Sequence, residues 1–281
     1  MSQWRIGDVK ITRIVELEYP WKGTVLFRDA TPENVRAAIP RHVNPCFVDP
    51  ETARLRISMH AFVLEAGGRR IIVDTCVGND KQRDWQVVNQ LHTSFLADLA
   101  AAGFPRESID QVMCTHLHYD HVGWNTMLME GRWVPTFPNA RYLVHRREWE
   151  NWIASDDVAI ADSVRPVFDA GLVDLVGLDS RIGDEISLEP SPGHTPGHVC
   201  VKISSRGQEA VITGDMLHHP IQFARPQWSS FADADPELAR QTRRAFCERY
   251  ADGPVTVLGT HFAAPTAGHI VARDDNFYFQ V

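Results

Sequence analysis

The stretch MCTHLHYDHVGWN, residues 113–125, places three histidines and one aspartate within six positions, as His116-Leu117-His118-Tyr119-Asp120-His121. A lone histidine is ordinarily a satisfied core or surface residue. Four donors this close together, fed by the apolar run QVMC (residues 111–114), need another explanation. Imidazole nitrogen and carboxylate oxygen are good ligands for zinc and similar borderline cations. If QVMC is a buried strand, the donors stand at its C-terminal end. Four groups exceed what one catalytic metal takes from protein, because such a metal keeps a position open. Two adjacent metals fit better.

The rest of the chain supplies more donors in the same style. SPGHTPGH (residues 191–198) holds His194 in a turn built from two Pro-Gly steps. AVITGD (residues 210–215) brings Asp215 to the end of one apolar run, and VTVLGTH (residues 255–261) brings His261 to the end of another. Three sheet ends therefore have donors to converge on one site.

The 281 residues suffice for one large core, and 44% hydrophobic with 23% charged residues is ordinary for a globular protein. A formal charge of −8 argues against sequence-independent nucleic-acid binding, which needs a basic face. The five cysteines are scattered, with no CxxC pair, so neither a disulfide framework nor a thiolate zinc site is expected. The N-terminal MSQWRIGDVKITRIVE lacks the apolar core of a signal peptide, and no run approaches 18 apolar residues. A cytoplasmic protein with no membrane and no nucleic-acid partner is expected.

Strand-like runs recur at Val9–Leu17, Ala61–Glu65, Arg70–Asp74, Gln111–Thr115, Arg141–His145, Val199–Ile203, Ala210–Thr213, Val255–Gly259 and Phe277–Gln280. Gly67-Gly68 between the second and third reads as a hairpin turn. Thr31 caps a helix in TPENVRAAI with Pro32 leading, and Asp235 caps another in DPELARQTRRAFCERY. TSFLADLAAAGF ends on Gly103, and REWENWIA is a further helix. Strands and helices in both halves predict packed sheets with helices outside, in a single domain over 1–281. Residues 20–58, with Pro20, Pro32, Pro40, Pro45 and Pro50, read as a loop-rich insertion, either a homodimer arm or a cleft lid.

The order HxHxDH, GHTPGH, a strand-end Asp and a late His resembles the metallo-β-lactamase superfamily, over roughly Ala61 to His269. The resemblance implies an α+β fold, the αββα sandwich. It implies that His116, His118 and His194 hold one zinc, that Asp120, His121 and His261 hold a second, and that Asp215 bridges them. Iron, manganese or cobalt are the other metals such a site accepts. Asp74, in IIVDTCVG, matches the family's strand-end aspartate that orients metal-binding histidines. Asp215 stands where one β-lactamase class has Cys, and His118 where flavodiiron proteins have Glu. GDMLHHPIQ and GTHFAAPTAGHI are similar to the lactonase and methyl-parathion-hydrolase-like branch. His218 stands three residues past the bridging Asp, where acylhomoserine lactonases have a tyrosine.

Such a centre would share a water between two metals, and the resulting hydroxide would open a lactone or cleave a related activated ester. Asp120 would orient the nucleophile or pass its proton to the leaving group, and His218 would contact substrate. Two alternatives stay open on the same scaffold: a phosphotriester, aryl-ester or thioester hydrolase, and a mononuclear iron dioxygenase of the persulfide type. A metal-retaining binding protein is a third. His42, His60, His92, His145 and His269 fall outside any ligand pattern, His198 reads as a turn or outer residue, and His219 is open. Trp85, Trp124, Trp152, Trp228, Phe27 and Phe223 either wall a substrate cleft or belong to the core.

Overall fold

The structure is a computed structural model that describes residues 2–39, 41–178 and 180–281; Pro40 of the proline-rich segment lies outside them, with Met1 and Asp179. The chain forms two compact units. The first takes Met1–Leu17 and Met59–Glu185, and the second takes Glu18–Ser58 and Ile186–Val281. Among the described residues no helix is long and apolar enough to cross a membrane.

The first sheet begins with β1 (Gln3–Ile6), β2 (Val9–Trp21), β3 (Leu55–Ala66), β4 (Arg69–Val73) and β5 (Gln111–Cys114). A separate hairpin follows, β6 (Thr126–Met129) with β7 (Arg132–Pro135), and then β8 (Arg141–His145) and β9 (Val173–Val176) complete the sheet. Its order is β1-β2-β3-β4-β5-β8-β9. The β3–β4 turn is Gly67-Gly68, with φ of 55° and 76°, the left-handed pair that a two-residue hairpin requires. From β4 onward the pairings turn parallel, β4 with β5, β5 with β8, and β8 with β9. Parallel strands end on the same side, so Asp74 just past β4 and Thr115 just past β5 are neighbours.

Strand interiors here are apolar on both faces rather than alternating, as sheets covered on both sides require. Val63, Ile72, Val112 and Tyr142 are fully buried in one cluster with Phe95, Leu99 and Phe137. Each such side chain contributes about 1.5–3 kcal/mol of transfer free energy. Glu16, on β2, is the exception. Its carboxylate accepts the N–H groups of Val77 (2.7 Å) and Gly78 (3.1 Å) and the indole N–H of Trp124 (2.6 Å). It thereby ties the loop after β4 to the segment that follows His121. Gly123 belongs to the same junction, because a Cβ there would lie 1.7 Å from the Val77 carbonyl oxygen.

The second sheet runs in chain order: β10 (Ile186–Pro190), β11 (Val199–Ser205), β12 (Gln208–Ile212), β13 (Thr256–Leu258), β14 (Ala267–Arg273) and β15 (Asn276–Gln280). Only β12 and β13 pair in parallel, and the helix Pro236–Tyr250 lies in the crossover between them. Asp235 caps that helix by accepting the Leu238 N–H at 3.0 Å, and Thr31 caps Pro32–Ala38 through the Asn34 N–H. The proline-rich segment carries the last residues of β2, this short capped helix and the first residues of β3, more regular structure than its composition suggests. The strands that periodicity does not reveal are β1, β6, β7, β9, β10 and β14. They are short, or half-exposed with charged residues facing out, so no apolar run marks them.

Two outcomes test this packing. Gly193 has φ 129°, and a Cβ would lie 2.3 Å from the Ala239 amide nitrogen of the crossover helix. Gly193→Ala is therefore expected to lose at least about 1–3 kcal/mol in urea unfolding, and an unchanged midpoint would refute the close approach. Loss of hydration lifts the Glu16 carboxyl from its ordinary 4.5 to about 7, against the hydrogen bonds that favour its ionised form. The folded chain then holds this proton to higher pH than the unfolded chain, so its contribution falls as pH rises between those values. The stability of the natural protein relative to Glu16→Gln should decline from pH 5 to pH 7.5; a difference flat across that range would reject the assignment.

Candidate metal centre

In the first unit, β5 ends at Cys114 and the chain turns at Thr115 into the donor cluster. Asp74 fixes that turn. Its Oδ1 accepts the Thr115 N–H at 2.8 Å, its Oδ2 accepts the Thr115 hydroxyl at 2.9 Å, and its own N–H donates to Met113 at 2.9 Å. Asp74 Oδ2 also lies 2.9 Å from His121 Nδ1. The strand-end aspartate is thus beside a histidine of the motif, as its position suggested. A ring whose Nδ1–H is donated to a carboxylate turns a bare Nε2 outward, the state in which imidazole ligates metal.

Tyr119–Val122 forms one helical turn, which separates Asp120 and His121 from His116 and His118. Donor atoms of His116 and His118 lie within 4.8 Å of one another, as do those of Asp120 and His121. His116 and His121 are fully buried, while Asp120 and His118 keep partial exposure. The His118 ring meets Trp152 edge-on at 5.6 Å, and the Trp152 indole N–H donates to Glu148 at 2.8 Å. Glu148 also accepts the Leu117 N–H at 3.2 Å, bracing the motif from the helix Arg146–Trp152.

Within the second unit the sheet register explains the donors. Ile212 of β12 pairs with Leu258 of β13, and each donor stands three residues beyond its strand, Asp215 and His261. His261 Nε2 is 3.0 Å from Asp215 Oδ1, and His194 Nε2 is 3.3 Å from Asp215 Oδ2. The opposite ring nitrogens are anchored: His261 Nδ1 donates to the Ser58 carbonyl at 3.0 Å, and His194 Nδ1 lies 2.9 Å from Asp233 Oδ1. In a neutral ring so anchored, Nε2 carries a lone pair, and here it faces carboxylate oxygen. Acceptor against acceptor at 3.0–3.3 Å is repulsive without a cation. Metal–ligand bonds of about 2.0–2.1 Å give N···O edges of just this length, so the donor set fits a divalent metal.

His198 is an outer residue, as its turn suggested. It accepts the Asp215 N–H on Nε2 at 2.9 Å and pairs Nδ1 with Ser191 Oγ at 2.7 Å. His218 lies over the same carboxylate, Nε2 to Asp215 Oδ2 at 3.3 Å, with its Nδ1 buried and without a hydrogen-bond partner. Phe27 packs edge-on against the His218 ring at 6.1 Å and also touches Trp228. His219 is structural: it lies 2.9 Å from the Phe47 carbonyl, accepts the Ile221 N–H, and burial pulls it down to about 4. Trp124 stacks on Phe95 and Phe223 on Phe279, both in the core. Trp85 is 43% exposed and lines a cleft of about 160 Å³ with Arg83, Tyr119 and Val158. The cysteines are all free, and burial pushes the Cys114 and Cys200 thiols up to about 12, which keeps them protonated.

Several partners escaped the sequence reading. Asp233 holds His194, and nothing in FADADPEL distinguishes it from Asp235 two residues on. Arg243 reaches Asp233 from inside the crossover helix. Lys81 and Arg83 converge on Asp162: Arg83 makes a two-pronged contact at 2.7 and 3.0 Å, while Lys81 sits over the Trp133 ring at 3.6 Å. Burial brings the Lys81 ammonium down to about 7. Helical spacing around Arg243 offered a signal, because a cation on the apolar stripe of an amphipathic helix needs an internal anion.

Residues 58–261 match the Metallo-beta-lactamase superfamily. The chain is 29% identical over 122 residues to the N-acyl homoserine lactonase AttM of Azorhizobium caulinodans, a match covering 41% of this chain and 43% of that protein. The chain thus spans less than half the length of that curated relative. Among solved structures it is similar to a hydrolase, AbOPH, of the β-lactamase superfamily, at 24% identity and TM-score 0.82, covering 99% of this chain and 96% of that one. It is likewise similar to AidC, a dizinc quorum-quenching lactonase solved with a homoserine product, at 17% identity and TM-score 0.81, with the same coverage. At these identities the structures speak for the fold, which is the α+β sandwich of this family. With its donors at the strand ends and most of its length matched, the chain belongs to the metallo-β-lactamase superfamily.

Proposed function

We propose that the protein is a dinuclear zinc hydrolase that opens lactones or cleaves related activated esters. In this reading the two units act as one domain, in the cytoplasm, where five free thiols persist. His116, His118, His194 and Asp215 would hold one metal, and Asp120, His121 and His261 the other, and Asp215 Oδ1 at 3.0 Å from His261 Nε2 would serve as the bridge. The observation that carries the reading is Asp215, set at 3.0–3.3 Å from ring nitrogens whose opposite sides are already anchored. The relatives named as lactonases support the substrate class. When bound, paired divalent metals polarise a carbonyl and supply hydroxide at neutral pH.

The chain's own groups do the rest. Asp120 keeps a partly exposed carboxylate 3.8 Å from His121 Nε2, so it is placed to receive a proton and pass it to the departing alkoxide. His218 is held through Nε2 by Asp215, and its Nδ1 is the ring atom left to meet substrate. Phe27 shields that ring and lowers the local dielectric around it. A second reading, a phosphotriester or aryl-ester substrate, is favoured by His218 itself, which stands where acylhomoserine lactonases carry tyrosine.

Metal analysis with a hydrolysis panel of lactones, aryl esters, phosphotriesters, thioesters and β-lactams tests the reading. Close to two zincs per chain with lactone turnover is expected; one iron with oxygen consumption would overturn it. His116→Ala and Asp215→Ala should each lower kcat/KM by more than about 100-fold, beyond the loss seen for outer partners of a metal site, and reduce bound metal. Full activity of either in chelator-treated buffer would sink the mechanism. His218→Ala should change kcat unevenly across the panel while metal content holds. Identical kinetics on every substrate would remove His218 from the reaction.

A further inference from the structure

The helix Pro236–Tyr250 turns most of its arginines to solvent, where Arg240 pairs with Glu237, Arg244 with Glu248, and Arg249 with Glu189. Arg243 does the opposite. It is the largest fully buried side chain among the described residues, at 0% exposure. Taking a guanidinium out of water costs several kcal/mol, so a buried one needs a dedicated set of partners.

Those partners are the backbone and side chains that carry two of the metal donors. Arg243 Nε donates to the Met216 carbonyl at 3.0 Å, directly after Asp215. Its Nη1 donates to the Pro226 and Trp228 carbonyls at 3.0 and 3.1 Å. Its Nη2 forms an ion pair with Asp233 Oδ2 at 3.6 Å. Asp233 is equally enclosed: Oδ2 accepts the Ser230 N–H at 2.9 Å, and Oδ1 lies 2.9 Å from His194 Nδ1. The Ala234 N–H donates to the His194 carbonyl, and the Asp235 N–H to that of Gly193, so the loop is stitched to the histidine's own backbone.

We propose that Arg243 and Asp233 form a buried positioning pair that sets how tightly the metal on His194 and Asp215 is held, and acts on it more strongly than on the metal held by Asp120 and His121. The proposal rests on the reading of His194 as a metal ligand. The charge environments of the two histidines differ in a way that supports it. Asp74, beside His121, receives the N–H and the hydroxyl of Thr115, both neutral donors. Asp233, beside His194, shares its charge with a guanidinium. The His194 side therefore answers to a cation, and that cation also fixes the backbone next to Asp215. Arg243 is a positioning residue, because it reaches the donors through Asp233 and through the Met216 carbonyl.

The test is a zinc titration of the full-length, metal-free protein against a competing chelator. His194→Ala identifies which of two binding steps belongs to His194. Asp233→Asn, which keeps size and removes charge, and Arg243→Lys, which keeps charge and loses the fork, are then compared with the natural protein. Each is expected to weaken that step by about 10- to 100-fold, the usual effect of an outer partner, and to weaken the other step less. Far-UV circular dichroism and the unfolding midpoint of the metal-free forms confirm the fold. If Arg243→Lys does not fold, Asp233→Asn alone decides. Folded Asp233→Asn with both steps unchanged, or with both weakened in parallel, would overturn the proposal. Natural protein that takes up no zinc would instead defeat the metal reading beneath it.

Discussion

An imidazole has two nitrogens, and what one of them is doing decides what the other can do. Each anchored ring of the donor set spends Nδ1 on the protein: His121 on Asp74, His194 on Asp233, and His261 on the Ser58 carbonyl. Nε2 is then an acceptor with a fixed direction. Two of these acceptors meet the Asp215 carboxylate within 3.3 Å. Such a convergence of lone pairs is unfavourable for the polypeptide alone. It becomes favourable once a divalent cation is shared, so metal binding and the local fold are one equilibrium.

The scaffold can be read as the means of enforcing that arrangement. A parallel pair of strands delivers side chains to the same edge, and donors three residues past Ile212 and Leu258 come together without a long-range search. The β4–β5 pair repeats the device with Asp74 and Thr115. Strand ends alone would leave the rings free to rotate. The outer partners remove that freedom, and they are expensive: Asp74, Asp233 and Arg243 are charged groups with almost no exposure. Glycines at Gly123 and Gly193 allow the backbone contacts that bring these partners within reach.

The donors were legible in the sequence because metal chemistry restricts residue type and spacing tightly. HLHYDH, SPGHTPGH and the strand-terminal Asp215 and His261 announce themselves without any structure. Asp74 was legible through the family resemblance, which places an aspartate at the strand end in IIVDTCVG. Asp233 and Ser58 were not, because a carboxylate beside a turn and a backbone carbonyl carry no pattern. Ser58 meets His261 through its main-chain carbonyl, where residue identity leaves no trace. The strands β1, β9 and β14 were missed on similar grounds, since a half-exposed strand with outward charges lacks an apolar run. His219 shows the converse: one residue from His218 in sequence, it spends both ring nitrogens on backbone and belongs to the fold.

Reaction and substrate are written in different parts of the molecule. Donors sit where regular structure ends, on strand termini whose positions the sheet dictates, and their partners are buried. The groups that line the exposed cleft are of another kind. Trp85 and Val158 are exposed at 43% and 55% and line a cleft with Tyr119, which stands between two donors. Arg83, one wall of that cleft, is locked to Asp162 by a two-pronged contact. A change at the donors would remove the centre, while a change at Trp85 or Val158 would leave every anchored imidazole as it is. On the proposed reading, divergence of substrate with the donors kept is the course this architecture makes cheapest in stability.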